Sequence, residues 1–378
     1  MPVRAILLSA LLAAAADAQV SIAKFKGDAP GAFCFTFDDA LPSQLIYAAP
    51  YLDRVGLKGS FYLITKNVTD GAGGNPAIGK PAVWADWRTV ADSGHEIGSH
   101  TLTHPDLTQM NAADAAKELA ESAQAIKDKL GITPVTLAYP FNAWNAAVAG
   151  LALQTYPLGG RMSQVGYGDA AGFAKTAEAM NRYADGAVSG KSLVIGMIHG
   201  LTEPYAPMDP APFLEHLEYC KKLSEEGKLW VATFGEIRRY QMEKDSTRIS
   251  ARSPSATQVS FTLESPLDAA LFNVPLTFIV PFPGAADAAV KAMREGSAEP
   301  LPVKVEAGRI LVQALPVAGA ITVDWSGSTA LAGDRGGKGA GEVGKPSDGK
   351  ARRIGSPAVK ARKRKYLVSG KRLEPAHK

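Results

Sequence analysis

Asp38 and Asp39 close the run Phe35-Thr36-Phe37-Asp38-Asp39, and farther along the chain His100 and His104 recur four apart in Ser99-His100-Thr101-Leu102-Thr103-His104. One carboxylate with two imidazoles holds a divalent metal and leaves a coordination position open, and a spare carboxylate beside them can act as a base. That is the equipment of a hydrolase. Taken singly, paired aspartates also occur at turns and spaced histidines also occur on surfaces, so the setting decides. Ala32 to Phe37 is an apolar, aromatic run that reads as a buried strand with the two aspartates at its end. His95 to His100 reads as a second short strand, after a helix ending near Gly94. In α/β folds built on parallel strands, chemistry collects at the carboxyl ends of the strands, and both ligand groups fall there.

The sequence resembles the polysaccharide deacetylases of the NodB-homology type, also called carbohydrate esterase family 4. Their first motif, T-F-D-D, stands here as Thr36-Phe37-Asp38-Asp39, and their second, H-[ST]-x-x-H, as His100-Thr101-Leu102-Thr103-His104. The third, usually R-x-P-[FY]-G, is Ala138-Tyr139-Pro140-Phe141-Asn142, with the arginine and the glycine both replaced. In the family that arginine helps hold the base aspartate. Arg161, in Gly159-Gly160-Arg161-Met162, is the candidate substitute cation, with a solvated surface arginine as the alternative. The fifth motif, L-x-H, is Met197-Ile198-His199, at the end of the apolar run Leu193 to Ile198.

Residue by residue, the resemblance implies a metal-dependent deacetylase. Asp39, His100 and His104 would hold the metal, Zn²⁺ first, with Co²⁺ or Ni²⁺ able to occupy the same donor set. Asp38 would be the base and His199 the acid that protonates the leaving group. The Phe141 backbone N–H would face the oxyanion, and Tyr139 and Met197 would border the substrate pocket. Of the chain's six histidines, three fall on these positions. His95 reads as structural, His216 as a solvated residue of the helical stretch Ala211 to Glu226, and His377 lies in the tail.

Positioning these groups calls for alternating strands and helices, and that pattern runs up to about Tyr240. Asp114 to Leu130 reads as an amphipathic helix closed by Gly131, and Leu229 to Phe234 as a last strand. The fold class is therefore α/β with a mainly parallel sheet, and the resemblance implies a distorted (β/α) barrel. From Ser246 the texture changes. Gln258 to Leu263, Leu271 to Pro281, Pro302 to Glu306, Arg309 to Gln313 and Ile321 to Trp325 have strand-like composition, with helical periodicity only around Ala285 to Arg294. The expected organisation is a catalytic domain over 19–245, a small all-β sandwich-like domain over 246–326, and a disordered Gly-rich, basic tail over 327–378.

Residues 327–378 hold 14 Lys and Arg against 4 Asp and Glu, a net of +10 in a chain of net +4, so the remaining residues net −6. Such a run is first a solvated segment, and an anionic envelope surface is favoured over nucleic acid as its partner. Arg4, the apolar run Ala5 to Ala16 and the small-residue site Ala16-Asp17-Ala18 read as a secretory signal over 1–18, so export to the periplasm, envelope or medium is expected, with no transmembrane helix left after cleavage. Cys34 and Cys220 are the only cysteines; free buried thiols are favoured over a single disulfide. Deacetylation of an acetylated, N-acetylglucosamine-type glycan leads the functional readings. Hydrolysis of a small cyclic amide or ureide and an inactive glycan-binding protein are the alternatives, the latter motivated by Ala138.

Overall fold

A computed structural model describes residues 19–71, 82–203 and 205–327. The expected signal over 1–18 and residues 328–378 of the expected tail lie outside the described residues. The described chain opens with β1 (Ser21–Ile22) and then enters β2 (Gly31–Phe37), buried along its whole length. A strand covered on both faces has no polar side to show, which is why its sequence is a continuous apolar run. Phe33, Phe35 and Phe37 point to one side, into a cluster with Leu52, Trp87 and Phe213, while Ala32 and Cys34 face the other way, toward Tyr62 and Ala138.

Around β2 the chain builds β3 (Ser60–Leu63), β4 (Glu96–Ser99), β5 (Leu137–Ala138), β6 (Gly160–Arg161), β7 (Val165–Tyr167), β8 (Leu193–Ile198) and β9 (Leu229–Val231). Their order is β6-β5-β4-β3-β2-β8-β7, with β9 paired to β2, and every pairing is parallel. Among the described residues seven α-helices accompany them: α1 (Ala49–Val55), α2 (Trp84–Asp92), α3 (Ala112–Leu130), α4 (Ala146–Thr155), α5 (Ala177–Ser189), α6 (Pro210–Glu225) and α7 (Phe234–Ser246). This is the expected distorted (β/α) barrel. α3 shows why the local elements form. The Asn111 side chain caps it by accepting from the Asp114 N–H at 3.0 Å, Ala115, Leu119, Ile126 and Leu130 fill the buried face, and Gly131 at φ 65° ends it in the left-handed region where glycine carries no Cβ penalty. Gly31 meets a different need: a Cβ there would lie 2.7 Å from the Ala187 carbonyl carbon, so the bare backbone lets α5 seat on β2.

Seven further strands follow among the described residues: β10 (Arg248–Ser255), β11 (Gln258–Glu264), β12 (Leu276–Pro281), β13 (Lys291–Arg294), β14 (Val303–Glu306), β15 (Arg309–Ala314) and β16 (Ile321–Asp324). They form two antiparallel sheets, β1-β12-β15-β14 and β10-β11-β16-β13. Phe261, Phe278, Val280, Ile310, Val312 and Val323 fill the space between them, as in a sandwich. The same apolar cluster continues through Phe234, Ile237 and Tyr240 of α7, and the Tyr240 hydroxyl donates to the Ala23 carbonyl at 3.0 Å. β1, first in sequence, thus completes a sheet whose other strands come last.

Two local expectations are corrected. The helical periodicity near Ala285 to Arg294 yields strand β13, because Ala292 packs into the sandwich core opposite Val323. His216 is not solvated. It lies fully buried on the inner face of α6, with Nδ1 2.8 Å from Asn181 Oδ1 and its ring against Phe33, Phe35 and Tyr167. Cys34 and Cys220 are both buried free thiols. Among the described residues no helix is long and apolar enough to cross a membrane.

Candidate active site

The site begins where the central ladder stops. β2 and β8 run side by side up to Phe37 and Ile198, and one last backbone bond, Asp38 N–H to the Ile198 carbonyl at 3.0 Å, carries the pairing past the strand ends. Asp38 and His199 therefore emerge from neighbouring strands. β4 delivers the histidine segment two strands away from β2, with His100 N–H bonded to the Leu63 carbonyl at 2.9 Å. Beyond each strand the backbone turns sharply: Asp39, Thr101 and His104 have φ of 75°, 68° and 67°. Left-handed non-glycine residues cost about 1–3 kcal/mol each and persist where surrounding bonds hold them. Here Ser99 Oγ accepts the Thr101 N–H at 3.1 Å and Thr101 Oγ1 accepts the His104 N–H at 3.0 Å.

Those turns bring Asp39, His100 and His104 together, with one ligand atom from each lying within 4.8 Å of the others. Asp39 Oδ1 is 3.4 Å from His100 Nε2 and 3.7 Å from His104 Nε2. The residues fit a divalent cation on three grounds. Asp39 Oδ1 is buried without a hydrogen-bond partner among the described residues, a costly arrangement that an ion between these groups would relieve. The His100 Nδ1–H donates to the Ala138 carbonyl at 2.8 Å, which fixes the tautomer and leaves the Nε2 lone pair toward Asp39. Burial and the neighbouring His100 hold His104 below the ordinary histidine pKa, so it too is available as a neutral ligand.

Asp38 is held differently. Arg161 Nη1 donates to its Oδ1 at 2.9 Å and Nη2 to its Oδ2 at 2.5 Å, a bidentate pair in which the two side chains are 2% and 5% exposed. Nη1 also donates to Thr36 Oγ1 at 2.6 Å, and the Thr36 hydroxyl in turn donates to the Gly196 carbonyl at 3.1 Å. Burial alone would raise the Asp38 pKa, but the charge of Arg161 and its hydrogen bonds outweigh it and hold the carboxyl below the usual range. The same pairing keeps Arg161 protonated against its own burial. The guanidinium that the third motif lacks at Ala138 comes from the adjacent strand, for Ala138 and Arg161 are register partners across β5 and β6. It also lies over the Tyr62 ring, 5.4 Å from its centroid.

The remaining residues fall around this centre unevenly. His199 is half-buried, its Nδ1 has no partner among the described residues, and its ring meets Tyr205 edge-on at 4.9 Å. Phe141, at φ 57°, turns its largely exposed ring against His104 at 4.7 Å. Met197 is buried and pairs in register with Thr36. Tyr139 lies apart from this group: its ring packs with Leu119, Leu137 and Tyr156 on the outer side of β5 and covers Gly160, where a Cβ would come within 2.3 Å of it. Two polar residues outside the sequence-derived set also reach the site. Thr36 shares the inner face of β2 with Asp38, a relation that strand alternation could have signalled. Gln44 donates through Nε2 to the carbonyls of both Asp38 and His199, and no local pattern marks that contact.

A family model described as polysaccharide deacetylase matches residues 26–156. Among curated proteins, a gellan lyase of Bacillus sp is 25% identical over 81% of this chain and 13% of its own length, and a chitin deacetylase of Pestalotiopsis sp is 32% identical over 35% of this chain and 39% of its own. The chain thus spans well under two thirds of either relative. The peptidoglycan deacetylase PdaC of Bacillus subtilis, a solved structure, is 16% identical, with a TM-score of 0.41 over 57% of this chain and 94% of that one. Residues 26–156, the stretch that the polysaccharide deacetylase model matches, carry Asp38, Asp39, His100 and His104.

Proposed function

We propose that the protein is a metal-dependent hydrolase that removes acetyl groups from an acetylated polysaccharide, an N-acetylglucosamine-type glycan first. The observation that carries this reading is the placing of a buried Asp38, held by the Arg161 guanidinium, beside the Asp39, His100 and His104 cluster. A divalent cation held by Asp39, His100 and His104, with Zn²⁺ the first expectation, would supply Lewis-acid polarisation of the acetyl carbonyl and of the attacking water. Asp38 takes the proton from that water at a carboxylate oxygen. Arg161 keeps it ionised and aimed for the task, since a bidentate fork fixes both oxygens at once. The developing oxyanion faces the Phe141 N–H in this assignment. His199, across from Asp38 on the next strand, returns a proton to the leaving amine or alkoxide, the step for which a near-neutral imidazole is suited. Met197 contributes an apolar wall for the acetyl methyl group.

The wider assignment belongs to the same proposal: a catalytic domain over 19–245, apart from β1, which pairs into the sandwich, an accessory β-domain over 246–326, export directed by residues 1–18, and a basic segment over 327–378 whose partner is an anionic envelope surface. Acetate release from N-acetylglucosamine oligomers, peptidoglycan and acetylated xylan, with Asp38→Asn as control, tests the activity. Release from one substrate class that disappears in Asp38→Asn supports it; no release from any of them by Zn²⁺-loaded protein turns the reading toward small cyclic amides or an inactive glycan binder.

A further inference from the structure

We propose that Gln44 is a positioning residue that fixes the Asp38–Asp39 pair relative to His199; the catalytic part of this inference rests on the acetyl-hydrolase reading above. The β2–β8 ladder ends with the Asp38 N–H on the Ile198 carbonyl, 3.0 Å away. One step beyond, the carbonyls of Asp38 and His199 lie past the last rung. Gln44 Nε2 takes both, at 2.5 and 2.6 Å, so one side-chain amide replaces the missing rung between base and acid. An amide nitrogen has two hydrogens to give, and each finds one carbonyl.

Three features set this contact apart from ordinary satisfaction of buried carbonyls. The Gln44 side chain is fully buried and its Oε1 has no partner among the described residues, so its described bonds all go to these two catalytic segments. Gln44 opens a π-helical turn, Gln44–Ala48, a wide-wound geometry found disproportionately at functional sites. The carbonyl it binds on Asp38 also belongs to the peptide plane leading into Asp39, whose left-handed backbone aims a carboxylate at His100 and His104. Restraining that oxygen restrains the turn. The adjacent residue repeats the connection: the Ser43 N–H donates to Glu203 Oε1 at 2.8 Å and the Leu201 N–H to Ser43 Oγ at 2.8 Å, joining the segments after β2 and β8 a second time.

The test uses the full chain with Gln44→Met, which keeps the length of the side chain and removes the donor, and Gln44→Asn, which keeps the amide but is one methylene too short to span both carbonyls. Zn²⁺ affinity, measured by competition with a chromophoric chelator, should weaken about tenfold or more, as expected when a support of a ligand is lost. On the acetylated glycan that the wild type accepts, kcat should fall about 10–100-fold while KM stays within about twofold, since a misplacement near 1 Å can cost that much in rate. A purely structural Gln44 would lower the melting temperature and leave both quantities at wild-type values in the folded variant, and that result overturns the proposal. If Gln44→Met does not fold, Gln44→Asn decides on the same criteria. If the wild type releases no acetate, the hydrolase reading fails on its own, and Zn²⁺ affinity still decides the positioning claim.

Discussion

Replacing Arg161 by methionine should inactivate the protein while leaving its metal cluster in place. The side chain gives two charge-assisted hydrogen bonds to Asp38 and a third to Thr36, and both members of the ion pair are buried. Removing one partner of such a pair costs about 3–5 kcal/mol, because the other charge stays behind in a poorly solvated place. Asp38 then either binds a proton or loses its aim, and neither state can accept one from water. If most of that loss falls on the reactive form, kcat drops by about 10²–10⁴, at about 1.4 kcal/mol per decade. Arg161→Lys should recover part of it, since an ammonium keeps the charge but cannot bridge both oxygens and Thr36 as a planar fork does. The register pairing of Ala138 with Arg161 allows a sharper version. In Ala138→Arg/Arg161→Ala a guanidinium is offered from the neighbouring strand at the same level, and kcat should rise about tenfold or more above that of Arg161→Ala. The assay is acetate release at saturating glycan, with Zn²⁺ content and far-UV circular dichroism recorded for each variant. A folded, Zn²⁺-loaded Arg161→Met with a kcat within about threefold of wild type would refute the claim that this arginine holds the base.

Three further outcomes are expected. Asp39→Ala and His104→Ala should each abolish stoichiometric Zn²⁺ binding at micromolar metal, read by elemental analysis after gel filtration, because two remaining donors do not complete a site of this class. His199→Ala should lower kcat about 10²–10⁴-fold on an amide or alkyl ester but much less on an aryl acetate, whose leaving group needs no proton; equal losses on both would remove His199 from the acid role. Stability should fall with acid partly through His216, whose pKa burial pushes down to about 3. Native His216 stays neutral while the unfolded chain takes up a proton below about pH 6.5, so this contribution is complete above that pH and is lost as pH falls toward 3. Between pH 7 and pH 5 it amounts to about 2 kcal/mol, and His216→Gln should lose that much less than wild type in urea titrations at the two pH values.

The elements whose sequence has a clear period were legible: β2 and β8 as continuous apolar runs and α3 as an amphipathic helix all stand within two residues of where the pattern puts them. The motif residues at their ends could be read for the same reason. β5 and β6 were not legible, because two residues cannot show an alternation, yet their pairing sets Arg161 beside Ala138 and hence against Asp38. β1 joins the sandwich through partners at Phe278 and Ile279, a contact so distant in sequence that nothing local announces it. His216 was open to a better reading. It shares the α6 stripe of Phe213, Leu217, Cys220 and Leu223, and a histidine on an apolar stripe is a core residue with partners. Gln44 carries no such mark, since its meaning depends on two carbonyls that only the folded sheet brings together.

In the proposed reaction Asp38, held by Arg161 beside Asp39, His100 and His104, serves as the base for water that hydrolyses acetyl groups on a glycan. Acetate released from N-acetylglucosamine oligomers by the Zn²⁺-loaded full chain, compared with Asp38→Asn at equal Zn²⁺ content, tests it most directly. Steady release by the wild type and a fall of about 10³-fold or more in the variant are expected. Undiminished release by Asp38→Asn, or none from any acetylated glycan by the loaded wild type, would contradict it.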